Sequence, residues 1–319
     1  MYNGVITDWT SDIQGVWYTP KLSSVVRRMA QPLTIFRQLV TPEPGIGPHM
    51  GTKFVFTKVG DLTSTGRRMG EHDPTPRAGI KITEDYMEPF EISNSIEFTW
   101  WSTLFAELSV QHTLIKALMD DYVRTVDYEA AAEFLKADFV YTPTGGPGNK
   151  KFVLTNDGTP GAVATRPMSV WDVQNIRGLM TSDFKIPPFD GQNLLCVSPY
   201  SGIRNIRTDQ QYVETMKHYD SSMLFAGECN EFEGTRFLME NNVLSTNLPG
   251  NNSQMVFIGQ DAVVEAVIHP FEIQAMVSEN YGRRQGIRYT EVLALKKVYS
   301  VAKDETDRIF VVDSLPNGY

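Results

Sequence analysis

The longest stretch of helical periodicity constrains this chain more than any motif in it. From Thr103 to Asp138 no Gly or Pro occurs, and the next breaker is Pro143. Leu104, Leu108, Ile115, Leu118, Met119, Tyr122, Val126, Ala130, Phe134 and Leu135 recur at steps of three and four, the spacing of one helix face. Thr103 can serve as N-cap and Glu107 suits the first turn. Thirty-six residues at about 1.5 Å each make a rod of roughly 54 Å. A globule of 319 residues has a radius of gyration near ~20 Å and a diameter of roughly 50 Å. A helix as long as the whole molecule predicts a flat, elongated subunit, about two domains in size.

Composition and motifs narrow the function by exclusion. At 41% hydrophobic and 21% charged residues, the chain is neither a disordered nor a fibrous type. Its longest apolar run, Ala262 to Ile268, is interrupted by Glu265, and no stretch approaches the length of a membrane span. Met1 to Thr10 carries no basic and apolar segments of a secretory signal. Two cysteines, Cys196 and Cys229, exclude a disulfide framework and read as small buried hydrophobes. Twenty-nine basic against 38 acidic residues give a net charge of −9, a bulk field that repels nucleic acid. Arg27-Arg28 and Arg283-Arg284 are isolated pairs rather than a basic stripe.

No enzyme signature is present. G-x-S-x-G, H-E-x-x-H and C-x-x-C are all missing. Gly145-Gly146-Pro147-Gly148-Asn149-Lys150-Lys151 lacks the Ser or Thr of a phosphate loop, and Phe152 to Thr155 after it reads as a strand; the stretch is expected to be a polar loop. Gly45, Gly47 and Gly51 miss the dinucleotide spacing. Glu71-His72-Asp73 is the one local cluster of ligating types, but neighbours on an extended chain point to opposite faces. Asp120 and Asp121 diverge by about 100° on a helix and do not make an acid/base pair. The expectation is therefore a non-enzyme with no cofactor and no metal.

The remaining segments divide by pattern. Residues 1 to 50, with five prolines and exposed-type hydrophobics (Trp9, Trp17, Tyr18, Phe36), read as an arm; Leu22, Val25, Val26 and Met29 form one short amphipathic face in it. Residues 51 to 98 read as an extended hairpin. Phe54 and Phe56 alternate with Lys53, Val55 and Thr57, Ile80 and Ile82 with Lys81 and Thr83, and Phe90 to Phe98 alternates most cleanly. The tip between them carries Arg67, Arg68 and Arg77 with Glu71 and Asp73. A two-stranded ribbon is marginal alone in water and needs a surface to lie on. Beyond residue 165 helices and strands mix: Ser169 and Asp172 start a helix through Met180 with Val173, Ile176 and Leu179 or Met180 inward. Strands follow at Leu194–Val197, Met255–Gly259, Glu291–Val301 and Arg308–Asp313, with a helix near Asp209 to His218 and an edge strand or hairpin within residues 227 to 243.

This order of arm, long hairpin, very long helix, mixed domain and final strands resembles the tailed-phage major capsid proteins, whose fold is named after phage Hong Kong 97. At residue level the likeness is to coat proteins of N-four-like and related podovirus or siphovirus types. It is carried by Ser169 to Met180, Asp190-Gly191, the strand ending at Ser198-Pro199, Phe232 to Phe237, Met255 to Gly259 and Gln260-Asp261-Ala262. The resemblance implies an α+β fold with an N-arm (1–50), an E-loop (51–98) and a P-domain (99–168) bearing the spine helix. An A-domain (169–285) and return strands to the P-domain (286–319) complete it.

It further implies a coat protein that assembles into hexamers and pentamers of an icosahedral shell around phage double-stranded DNA, located in the virion after synthesis in the host bacterial cytoplasm. Implied partners are other copies of itself, a separate scaffolding protein, a portal and a decoration protein, with no membrane and no sequence-specific DNA contact. Phe54, Phe56, Ile80 and Ile82 would then be buried on neighbours, and the tip charges would set register, with Asp120 and Asp121 as acceptors for the arginines. Arg283, Arg284 and Arg288 would line contacts around a capsomer axis. An encapsulin-like compartment shell and an enzyme with an unrecognised site are the alternatives.

Overall fold

The computed structural model describes residues 34–43, 51–62, 66–75, 77–105, 110–146, 148–219, 231–244, 253–275 and 281–315. The expected helical face from Leu22 to Met29, the arm's Trp9, Trp17 and Tyr18, Leu108 in the rod and Cys229 lie outside these residues. The described strands are β1 (Thr41–Pro42), β2 (Phe54–Leu62), β3 (Ile80–Met87), β4 (Phe90–Thr99), β5 (Phe139–Gly146), β6 (Asn149–Thr155) and β7 (Leu194–Ser198). They continue with β8 (Glu231–Phe232), β9 (Thr235–Met239), β10 (Ser253–Ile258), β11 (Val263–Ala275), β12 (Arg284–Lys297) and β13 (Ile309–Ser314). The helices are α1 (Trp100–Phe105), α2 (Val110–Phe134), α3 (Val170–Gly178), α4 (Tyr200–Arg207) and α5 (Gln210–Tyr219).

Three sheets organise the chain. One has the order β1-β11-β12-β4, a second β6-β5-β13-β10-β7-β9-β8, and β2 pairs only with β3. In the seven-stranded sheet the two-residue period divides two cores. Leu195, Val197, Val256, Ile258, Ile309 and Val311 face α2, where they meet Val126, Ala130 and Phe134. Leu194, Cys196, Met255, Phe257, Phe310 and Val312 face the opposite way and pack with Val173 and Ile176 of α3, Ile203 and Ile206 of α4 and Tyr212 of α5. The four-stranded sheet is covered on one side by α2, through Leu118 against Ile287, Tyr289 and Leu293. Its other side, at Val264, Ala266 and Ala294, carries Phe54 and Met87 of the β2–β3 hairpin.

The long helix differs from the expected Thr103–Asp138 span at both ends. α1 begins at Trp100: the Thr99 hydroxyl accepts the Ser102 N–H at 3.3 Å, while the Thr103 hydroxyl donates back to the Trp100 carbonyl at 2.7 Å inside the turn. Thr99 is therefore the cap. α2 has 25 residues, about 37 Å of helix, and residues 106–109 between the two lie outside the description. At the far end the Lys297 ammonium takes the Lys136 carbonyl at 2.7 Å and also meets Asp138 at 3.0 Å and Asp307 at 3.1 Å. The Asp138 N–H is given to Asp307 at 2.7 Å. These bonds capture the groups that further helix would need. Burial pushes the Asp307 carboxyl up despite Lys297; at the less buried Asp138 the same lysine and the Val301 N–H outweigh desolvation and hold the carboxyl below its ordinary value.

Sheet membership also redraws the expected segments. β4 was expected within the 51–98 hairpin; it pairs instead with β12 over ten residues, from Arg284↔Thr99 to Leu293↔Phe90. β11 and the start of β12 fall in the range expected for the mixed domain (169–285) yet belong to the four-stranded sheet, whereas β5, β6 and β13 join the seven-stranded one. The Gly145–Lys151 stretch is not a loop after a helix but the turn between β5 and β6, with Gly145 at φ +89°. Cys196 is fully buried, as its sequence context suggested.

The start of α3 shows how a local pattern is tied into the core. Asp172 accepts the Ser169 N–H at 3.0 Å, the reciprocal bond of a capping box, and the Ser169 hydroxyl at 2.8 Å besides. The same buried carboxylate receives the Tyr141 hydroxyl and Arg166 Nη2, both at 2.7 Å, and Arg166 Nη1 at 2.5 Å. Arg166 also donates to the carbonyls of Thr144 and Lys151. Removing one partner of a buried pair leaves the other uncompensated, at a cost of about 3–5 kcal/mol. Asp172→Ala is therefore expected to lower the calorimetric unfolding temperature strongly, while Asp157→Ala, at an exposed turn, leaves it nearly unchanged.

Candidate assembly surface

The β2–β3 hairpin places its side chains by simple alternation. Phe54, Phe56 and Lys58 of β2 face the body with Thr83, Asp85 and Met87 of β3, paired Phe54↔Met87, Phe56↔Asp85 and Lys58↔Thr83. Phe54 and Met87 join Val264, Ala266, Ala294 and Val298 in a small core, with Phe56 packed at its rim. Lys58 is buried to 8% exposure and donates to the Val298 carbonyl at 2.7 Å and Glu305 Oε2 at 2.6 Å. Asp85 lies 3.7 Å from Lys58 and 2.6 Å from Lys303, and the Thr83 hydroxyl completes Glu305 at 2.8 Å. Two lysines thus balance two carboxylates. Burial alone would raise Asp85 and Glu305, but bonds from Lys303 and the Tyr86 N–H in one case, and from Lys58 and Thr83 in the other, hold both below the ordinary carboxylate values.

The opposite face of the ribbon is open and largely apolar. Val55, Val59, Leu62, Ile80, Ile82 and Tyr86 are each about half to two-thirds exposed, and the register sets Val55 beside Tyr86, Val59 beside Ile82 and Leu62 beside Ile80. Single exposed apolar residues are ordinary, but six on one face of a ribbon mark a contact surface, here with the polar pair Thr57 and Glu84 set among them. Covering each is worth about 1–2 kcal/mol.

Arg67, Arg68, Glu71, Asp73 and Arg77 are all exposed at the tip. The Gly70 N–H donates to Asp73 at 3.0 Å and Arg67 reaches the Pro74 carbonyl at 3.5 Å, and among the described residues no ion pair joins the tip arginines to Glu71 or Asp73.

Other expected contact residues are redistributed. Phe54 and Phe56 were expected to be covered by a neighbour; Phe54 is covered by its own chain, because it shares the inward face with Lys58 and Met87. Ile80 and Ile82 do point outward. Asp121 Oδ2 accepts the Asn94 amide at 2.7 Å and the Tyr289 hydroxyl at 2.9 Å, which ties α2 to β4 and β12. Asp120 is half-buried one position earlier, and its carbonyl receives Arg124.

Arg283, Arg284 and Arg288 are exposed and sit at the start of β12 in the four-stranded sheet. The Arg283 carbonyl accepts the Trp100 N–H, Arg284 lies opposite Thr99 and Arg288 clasps Gln274. Trp100, Trp101 and Leu104 are exposed on α1 near that end, and Leu104 is not on the buried helix face expected for it. The outward row on the ribbon was legible in principle: if Phe54 faces in, Val55 and Val59 must face out.

Among the described residues no group of three or more His, Cys, Asp or Glu is arranged to hold a metal, and no helix is long and apolar enough to cross a membrane.

Seven strands layered between helices, a second sheet over a long helix and a detached ribbon on its outer side define a fold class already seen in solved structures. No protein-family model and no curated protein matches the chain. By structure it is similar to the capsid of Ralstonia phage GP4, with 15% identity and a TM-score of 0.67 over 94% of this chain and 96% of that one. It is similar also to the head structure of Helicobacter pylori bacteriophage KHP40, at 12% identity and TM-score 0.68 over 92% and 95%. The capsid of cyanophage P-SCSP1u matches at 12% identity and TM-score 0.65, over 96% and 95%. The chain has the α+β fold of these phage capsid structures.

The balanced ionic cluster beneath the ribbon has a defined pH response. Carboxyls held below their ordinary values, 3.8 for Asp85 and 4.5 for Glu305, add stability that is present above those values and lost as pH falls below them. Limited proteolysis between residues 60 and 80 is expected to be slow at pH 7 and to accelerate below about pH 4. Asp85→Asn should give faster cleavage already at pH 7.

Proposed function

We propose that the chain is the major capsid protein of a tailed bacteriophage, an assembling structural protein and not an enzyme. The observation that carries this reading is the extent of the likeness: capsid structures match more than nine-tenths of this chain and of their own. A ribbon with an open apolar row supports it, since such a row is stable only when covered. In the proposed shell many copies form hexamers and pentamers, and each ribbon lies across a neighbouring copy with Val55, Val59, Leu62, Ile80, Ile82 and Tyr86 against it. Each contact is modest, which lets misplaced copies leave, and the many contacts per copy make the closed shell stable.

In this reading residues 1–50 act as the N-arm and 51–87 as the E-loop, with β4 assigned to the P-domain together with α2, β11 and β12. The seven-stranded sheet with α3, α4 and α5 is the A-domain. The tip charges Arg67, Arg68, Glu71, Asp73 and Arg77 set register more than affinity, and Arg283, Arg284 and Arg288 contribute at the far end of the four-stranded sheet. The subunit is made in the host cytoplasm, assembles with a separate scaffolding protein and a portal, takes a decoration protein on its outside, and encloses double-stranded DNA without reading its sequence. A net charge of −9 suits a wall past which DNA must slide during packaging and ejection.

Negative-stain electron microscopy and a sizing column test the reading together. Shells, tubes or ring-shaped capsomers support it; a compact 36 kDa monomer at high concentration, with and without its scaffold, overturns it. Deleting residues 60–79 is expected to leave a folded subunit with unchanged circular dichroism that forms no closed shells. Val59→Glu with Ile82→Glu should do the same at full length, and normal shells from that double variant would remove the ribbon from the interface.

A further inference from the structure

The ribbon is held to the body at two places along its length. At its root Phe54 and Met87, which are cross-strand partners, sit on Val264, Ala266 and Ala294 of the four-stranded sheet. Four residues farther along β2, roughly 13 Å at the rise of a strand, Lys58 and its partner Thr83 meet a different part of the chain, the connection between β12 and β13. Lys58 donates to the Val298 carbonyl at 2.7 Å and to Glu305 at 2.6 Å, and Thr83 donates to the same Glu305 at 2.8 Å. Lys303 meets Asp85 at 2.6 Å, while Lys81 reaches the Lys303 carbonyl at 3.3 Å and Asp304 at 3.5 Å. A rod held at one point swings about it; the second point sets its direction.

That second point is itself tied from the other side. The connection turns tightly: the Lys303 and Glu305 N–H groups donate to the Ser300 carbonyl and that of Asp304 to the Val301 carbonyl, with Asp304 at φ +57°. The first N–H of such a turn has no acceptor within it. Here that N–H belongs to Val301 and goes to Asp138 Oδ2 at 2.7 Å, and Ser300 before it supplies no side-chain cap. Asp138 lies between α2 and β5, and its carboxylate also meets Lys297 at 3.0 Å. Asp138, Val301 and Lys297 are all off the ribbon. A single hydrogen bond thus joins the α2–β5 junction to the turn whose Lys303 and Glu305 grip Asp85, Lys58 and Thr83.

We propose that Asp138 is a positioning residue for the ribbon: by holding the Val301 N–H it fixes the turn from Val301 to Glu305, and the turn fixes the direction in which the ribbon leaves the body. The turn and the ribbon's contact with it open and close as one unit, while the apolar root stays in place. With the bond broken, the ribbon swings on Phe54 and Met87; with it made, the ribbon has one direction. A fixed direction lowers the ordering cost of burying Val59 and Ile82 on another surface. The coupling lies within one chain, so it stands or falls independently of whether copies assemble.

Lysine acylation read by mass spectrometry, on the full-length chain, tests this. Lys58 is 8% exposed and reacts only when the second point opens; Lys53 is an exposed reference on the same strand side, and Lys297 reports on the junction. Val301→Pro deletes the N–H given to Asp138 and leaves the Lys297 bonds in place. Proline suits the first position of a helical turn, and Ser300, at φ −145° and ψ 137°, already has the extended form required before a proline. Relative to Lys53, Lys58 is expected to react about threefold faster or more in this variant, with Lys297 unchanged. Val301→Ala, which keeps the N–H, should match the unaltered chain. If Val301→Pro does not fold, the unaltered chain decides: as urea is raised below the unfolding transition, Lys58 labelling and hydrogen exchange at residues 303–305 should rise in step, ahead of Lys297. Unchanged Lys58 labelling in a folded Val301→Pro chain overturns the proposal. So does a matching acceleration in Val301→Ala or at Lys297, or Lys58 labelling that rises without exchange at 303–305.

Discussion

The long helix joins the two halves of this subunit, and one ammonium group fixes where it ends. α2 packs on both of the larger sheets in one apolar core. Lys297 ends β12 and binds the Lys136 carbonyl just past the helix, Asp138 at the entrance to β5 and Asp307 at the entrance to β13. Asp307 is buried, Asp138 and Lys297 are half-buried, and Glu133 accepts the Lys297 N–H at 3.3 Å beside them. The end of the helix is thus tied at one place to the four-stranded and the seven-stranded sheet.

The body is built for rigidity and the ribbon for placement. Both faces of the seven-stranded sheet are covered by apolar layers, one from α2 and one from α3, α4 and α5. The ribbon has one face only against the body, and there a buried ionic cluster does what a larger core does elsewhere: it specifies orientation more than it adds stability. Phe54 and Met87 supply the apolar contact, and Lys58, Asp85, Lys303 and Glu305 fix the pose. The apolar side chains left outside are then presented in a fixed direction, which reduces the ordering cost of burying them against another surface.

What the sequence disclosed was local. Ser169 with Asp172 announced α3; Val173 and Ile176 are inward as their spacing required, and of Leu179 and Met180 it is Met180 that is fully buried. The alternation in Phe90–Phe98 announced a strand but not its partner: pairing with β12 is a contact between residues nearly two hundred apart, which no window of periodicity contains. The same limit explains Phe54, since which face of an amphipathic ribbon is inward depends on what the rest of the chain offers, here Val264 and Ala294. The helix end was misjudged because Leu135 and Ala137 keep the apolar spacing while Lys297, far along the chain, stops the backbone. That Tyr289 and Asn94 both donate to Asp121 Oδ2 was not visible either, because they come from strands placed only by the rest of the chain.

Both sheets take an inner strand from late in the chain. β12 lies between β11 and β4, and β13 lies between β5 and β10. On a ribosome, then, β4, β5, β10 and β11 all emerge before the strands that join them: the four-stranded sheet cannot close until translation has passed residue 297, nor the seven-stranded sheet until it has passed residue 314. A chain interrupted before β12 has two unfinished sheets and no fixed base for its ribbon. Synthesis thus carries its own inspection: only a chain that has been read through β12 and β13 can hold its ribbon in a fixed direction.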